Sequence, residues 1–141
     1  MDTGPKPPSQ PDPLRYKPNR GLTRALKATV HSANGLIFAV REESSFRQEL
    51  VLAAILVPIA FLLPVSPVER VLLIGSVLVV LIVELINSAI EAAVDRISYE
   101  LHELSKRAKD FGSAAVMLAL ILCVSTWATV LWPLAIAWFG G

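Results

Sequence analysis

The run RVLLIGSVLVVLIVELINSAIEAAVDRI, residues 70–97, constrains this chain most. Its first half is oil, suited to a lipid bilayer. Its second half places Glu84, Asn87, Ser88, Glu91 and Asp95 where more oil is expected. Two more runs, 50–66 and 111–139, carry no charged residue. All three reach the ~17–25 residues that a crossing needs. Charges that avoid long apolar stretches are a membrane-protein pattern. Hydrophobic residues make up 54% of the 141, and the mean hydropathy is +0.57. A formal net charge of +1 gives no reason to invoke nucleic acid. Cys123, the single cysteine, excludes a disulfide within one chain and reads as a small buried apolar residue.

The predicted architecture is all-α. Residues 1–20 contain PKPPSQPDP and read as a disordered, Pro-rich tail. The tail lacks the apolar h-region of a signal peptide. Residues 21–141 form the membrane domain. Leu22, Leu26, Val30, Ala33, Ile37 and Val40 recur at helical spacing, with Arg20, Lys27, Asn34 and Arg41 on a polar side. That predicts an amphipathic surface helix over about 21–48. Membrane helices follow at about 50–66, 70–97 and 111–139. Pro58 should bend the first, and PVSPVER reads as a tight turn.

Orientation follows from Lys and Arg. Arg15, Lys17, Arg20, Arg24, Lys27, Arg41 and Arg47 precede the first span, and Arg96, Lys106, Arg107 and Lys109 follow the second. The loop after the first span has Arg70 alone. The positive-inside rule then puts the amino terminus in the cytoplasm.

At about 100° per residue, Glu84, Asn87, Ser88, Glu91 and Asp95 share one stripe about a third of the helix circumference wide. A carboxylate in a bilayer costs at least ~2.5 kcal/mol on insertion scales. Such a stripe must meet cations, metal or water. Two bland alternatives are polar glue between helices and solvation above the hydrocarbon, the latter apt for Asp95. Neither accounts for carboxylates, an amide and a hydroxyl converging on one face. REESSFRQE supplies Glu42, Glu43 and Glu49, with Arg47 and Gln48, just before the first span. Glu43 and Glu49 are six apart and do not share a helix face closely. Carboxylates from two helices at one level suit Mg²⁺, a hard cation that prefers oxygen. Lys106, Arg107 and Lys109 sit beside Asp110 before an apolar helix, a setting for phosphate or simply for a membrane surface. His102 alone is a weak signal. The chain has no G-x-x-x-x-G-K-[ST] loop and no protein-kinase signature set.

VELINSAIEAAVDRISYELHELSKRAKDFGSAAV, with GLTRALKA and ESSFRQE upstream, resembles the prokaryotic diacylglycerol kinase family. The likeness runs from about Gly21 to Trp132. It implies a homotrimer of three-span subunits with shared active sites, transferring the ATP γ-phosphate to a lipid hydroxyl at the bacterial inner membrane. By motif position, Glu84 looks like the catalytic base, with Asn87 beside it in the active site. Glu43 and Glu91 look like the carboxylates for Mg²⁺. Arg24, Glu100, Leu101, His102, Lys109 and Asp110 match nucleotide positions. His31 stands where the familiar enterobacterial form has tyrosine near the nucleotide. Arg24, Arg47, Gln48, Glu49, Glu84 and Ser113 match positions near the lipid. Undecaprenol is the alternative substrate within the family. A cation channel subunit with a pore-lining acidic stripe, or a membrane scaffold, is the alternative outside it.

Overall fold

The structure is a computed structural model that describes residues 21–97 and 103–139. The Pro-rich tail and the Glu100–His102 stretch lie outside the described residues. Four helices follow in order: α1 Leu22–Glu42, α2 Ser44–Leu62, α3 Pro67–Ile97 and α4 Glu103–Phe139. The last three are long and apolar enough to cross a membrane.

The chain divides into two units between Gly35 and Leu36, within α1. In the first, the helix starts just after Gly21, whose φ of 78° is a left-handed conformation that glycine adopts without strain. Leu26 and Val30 are exposed there, as are Arg24 and His31.

In the second unit the helical run breaks at Glu43, not near residue 48. Glu43 is extended, at φ −96° and ψ 113°, and it precedes α2 without making a side-chain cap. Arg47 takes up the end of the preceding segment. Its guanidinium donates to the carbonyls of Arg41 at 3.0 Å and Val40 at 3.4 Å. A cation at a helix carboxyl terminus meets the orphan carbonyls and the negative end of the dipole together.

α2 remains one helix through Pro58, which cannot donate to the Ala54 carbonyl. At its end Pro64 likewise leaves the Ala60 carbonyl without a helical donor. Arg70 fills that gap, donating to Ala60 O at 3.1 Å, and it adds a second bond at 3.1 Å to Leu63 O, which also accepts the Val65 N–H at 2.9 Å. So the lone cation of this loop closes a helix end. α3 then opens with a capping box. The Ser66 N–H donates to Glu69 Oε2 at 2.7 Å, and Ser66 Oγ accepts from the Glu69 N–H at 3.3 Å. Pro67 occupies the first helical position, where its missing N–H costs nothing.

α3 is the central element, packed against both α2 and α4. Its inner stripe is Leu73, Val77 and Val80, joined by Ser76. α4 answers with Ala119, Cys123, Trp127 and Val130, and α2 with Ala53 and Ala60. Small residues on two of the three helices let the backbones approach, the usual device where lipid removes the hydrophobic drive between helices. The Trp127 indole donates to the Leu73 carbonyl at 3.2 Å. Ser76 Oγ lies 2.9 Å from that carbonyl and 3.6 Å from Cys123 Sγ. These contacts pin α4 against α3 in antiparallel register. Ser125, Thr126 and Thr129 donate back to carbonyls four residues earlier, so their hydroxyls are satisfied within the helix. Ile55, Phe61, Ile82, Ile86, Leu118 and Val124 face outward, as expected when the solvent is lipid.

Replacing Arg70 by alanine strands the Ala60 carbonyl at the α2–α3 turn, since Leu63 O keeps the Val65 N–H at 2.9 Å. A loss of about 1–3 kcal/mol is expected, read by thermal unfolding in detergent. An unchanged unfolding temperature would remove Arg70 from the account of this turn.

Candidate active site

The inner stripe of α3 changes character along its length. After Leu73, Val77 and Val80 come Glu84 and Asn87, which are 4% and 8% exposed, then the half-buried Glu91. The same face that builds the core is therefore carried on as carboxylate and amide. Asn87 Nδ2 donates to Glu91 Oε1 at 3.2 Å, an i,i+4 bond along the helix. Ser88 is half-buried beside them.

This polar end of α3 opens on a cavity of about 450 Å³. α2 lines it with Ser45, Gln48, Glu49 and Leu52, and α4 with Ser113, Val116 and Leu120. Glu43 lines it from the extended residue before α2. Because Glu43 is outside the helix and makes no cap, its spacing from Glu49 is no obstacle: both carboxylates reach one cavity. Four carboxylates, Glu43, Glu49, Glu84 and Glu91, thus share these walls, and no Lys or Arg is among the lining residues. Glu49 Oε2 and Asn87 Oδ1 are buried without a hydrogen-bond partner among the described residues. Buried acceptors of that kind cost free energy until a donor or a cation meets them.

The site residues expected from the sequence divide into groups. Glu43, Gln48, Glu49, Glu84, Asn87, Glu91 and Ser113 come together around the cavity. Arg47 is turned to the α1 carbonyls instead. Lys109 is held by Asp95, Nζ to Oδ1 at 2.7 Å, so the outermost carboxylate of the stripe is matched by a cation of α4. Asp110 is exposed. Arg24 and His31 belong to the first unit, and Glu100, Leu101 and His102 lie outside the described residues. Ser45, Leu52, Val116 and Leu120 escaped the sequence reading. Their signal was present: Ser45, Gln48, Glu49 and Leu52 fall at i, i+3, i+4 and i+7, and Ser113, Val116 and Leu120 at i, i+3 and i+7. The cavity is acidic where Glu43, Glu84 and Glu91 line it and apolar where Leu52, Val116 and Leu120 do. That mixture suits a ligand with a polar head and an oily body.

Three apolar helices around such a cavity define a helical membrane protein with an acidic, amphiphile-sized site. Comparison with known proteins places it further. The family model for prokaryotic diacylglycerol kinase matches residues 30–131. A Pseudomonas aeruginosa protein named diacylglycerol kinase is 54% identical over 119 residues, covering 84% of this chain and 97% of that protein. The protein of that name from Escherichia coli K12 is 55% identical over 112 residues, covering 79% and 92%. One from Helicobacter pylori 26695 is 43% identical over 108 residues, covering 77% and 84%. The chain belongs to the prokaryotic diacylglycerol kinase family.

Glu49, whose Oε2 is buried without a partner among the described residues, lines the same cavity as Glu84. Removing that buried carboxylate charge by Glu49→Gln should therefore raise stability in chelator-treated buffer by about 0.5–2 kcal/mol, the size of gain that a single stabilising change commonly gives. A lower unfolding temperature for this variant would show that the charge of Glu49 is needed to hold the fold.

Proposed function

We propose that this chain transfers the γ-phosphate of ATP to the hydroxyl of diacylglycerol, giving phosphatidic acid, with Mg²⁺ as the metal. The observation that carries the reading is the cavity itself: four carboxylates and two amides beside apolar side chains, in a member of this family.

The donor set fits a hard divalent cation. Glu43 and Glu91 offer carboxylate oxygens, and Asn87 Oδ1 is a buried acceptor without a partner among the described residues. Among the described residues no ready-made group of three or more His, Cys, Asp or Glu is gathered as a metal cage. That agrees with Mg²⁺ held by one or two carboxylates plus phosphate oxygens. Bound there, the ion neutralises charge on the phosphates. Phosphoryl transfer asks for little else beyond alignment and charge stabilisation.

Glu84 is the general base. Its carboxylate accepts the proton of the lipid hydroxyl as that oxygen bonds to the γ-phosphorus, and ADP leaves with the bridging oxygen. Its burial keeps it near the apolar side chains, where the lipid hydroxyl enters. Gln48, Glu49 and Ser113 position that hydroxyl and its glycerol backbone. Lys109 and Asp110 hold the nucleotide, and Arg24, His31 and the Glu100–His102 stretch are assigned to it by the family likeness alone. α1 lies along the cytoplasmic face of the bacterial inner membrane, amino terminus inside, and three copies assemble with shared sites.

Purified protein in mixed micelles, given Mg²⁺, γ-labelled ATP and either diacylglycerol or undecaprenol, tests the reaction. Label should enter phosphatidic acid. Label in undecaprenyl phosphate alone would change the substrate, and label in neither, with folded protein, would sink the kinase reading. Glu84→Gln should cut turnover by about 10²–10⁴-fold, the span attributed to general base catalysis, without unfolding the protein. An active variant would remove Glu84 as the base. Glu91→Gln should raise the Mg²⁺ concentration needed for half-maximal rate; an unchanged Mg²⁺ titration would take Glu91 out of the metal site.

A further inference from the structure

Gly112 is buried where α4 passes α3 at Asn87. A Cβ built on it would overlap Asn87 Oδ1 and crowd the side-chain Cγ at 3.2 Å. Gly35 and Gly75, by contrast, have nothing within 4 Å of such an atom. Glycine is a poor residue for a helix interior, so its presence here needs a local reason. The close approach supplies one. The atom in the way is the end of a side chain with two rotatable bonds, so an added methyl would turn the Asn87 carboxamide before it moved a helix. Turning it would carry Nδ2 off Glu91 Oε1, the one bond that the carboxamide makes among the described residues.

We infer that Gly112 is a positioning residue for the phosphotransfer site. The absence of a side chain at Gly112 sets the orientation of the Asn87 amide, and Asn87 in turn aims the Glu91 carboxylate. Gly112 touches no substrate. It acts through Asn87, and the inference rests on the reading of Glu91 as a Mg²⁺ carboxylate.

Three variants test it, in detergent with diacylglycerol and ATP. Gly112→Ala should raise the half-saturating Mg²⁺ concentration and lower kcat, by about 10–100-fold in all, as losses of orienting partners behind metal ligands do. KM for diacylglycerol should stay the same. Gly75→Ala, which meets open space, should match the parent protein. An unchanged Mg²⁺ titration for Gly112→Ala, where Glu91→Gln does shift it, overturns the inference. If neither variant shifts it, the metal reading of Glu91 falls, and with it the role given to Gly112. The contact itself has a readout that needs no turnover. Thermal unfolding of Gly112→Ala, Asn87→Ala and the double variant forms a cycle. The double variant should be more stable than the two single changes combine to give, because the methyl added by Gly112→Ala enters the space Asn87 leaves. Strict additivity overturns the inference. If Gly112→Ala alone does not fold, recovery of folded protein in the double variant supports it, and equal loss in both overturns it.

Discussion

The lipid bilayer offers no hydrogen bonds, and the rest of this structure follows from that constraint. Backbone groups must pair within helices, and at the α2–α3 turn, where one cannot, a named side chain closes the gap. Pro64 leaves Ala60 without a helical donor, and Arg70 fills it. Ser125, Thr126 and Thr129 turn their hydroxyls onto their own helix. The Trp127 indole finds the Leu73 carbonyl. Against this economy, Glu49 Oε2 and Asn87 Oδ1 stand out as acceptors buried without partners among the described residues. Two such acceptors at one cavity leave room there for a donor or a cation to complete the arrangement.

Stability and chemistry divide α3 between them. Leu73, Val77 and Val80 hold it to its neighbours. The same stripe continues as Glu84, Asn87 and Glu91, whose two carboxylates repel each other and hold nothing together on their own. The packed end makes the acidic end tolerable, because α4 is fixed in register against α3 by the Trp127 and Ser76 contacts, well away from Gly112. Asp95 and Lys109 finish the stripe as an exposed ion pair, of small consequence for stability where water screens it. Under the proposed reaction, the division lets one helix serve a substrate in the membrane and another in water, because its oily and acidic parts are successive lengths of one stripe.

Much of the candidate site was legible because helical periodicity is a property of sequence. Glu84, Asn87 and Glu91 share a face wherever the helix forms. What was not legible was how Glu43 and Glu49 of the REESSFRQE stretch reach one cavity. Glu43 and Glu49 are badly spaced for a single helix, and only the extended conformation at Glu43 frees its carboxylate to reach the cavity beside Glu49. Ser45, Leu52, Val116 and Leu120 were overlooked because a small hydroxyl or an aliphatic side chain carries no chemical signature until the wall it lines is known. Arg70 entered the sequence reading only through its charge in the orientation argument, because its partners are backbone carbonyls.

The sequence by itself determined three apolar helices, the acidic stripe on the second, and the family, since length, hydropathy and motif spacing are local and additive. The tertiary structure alone decided which faces meet. The helix break at Glu43, the turn closed by Arg70 and the approach of Gly112 to Asn87 each depend on groups that lie beyond a single helix. Their physical basis is steric fit and hydrogen-bond pairing between segments, which no one helix encodes.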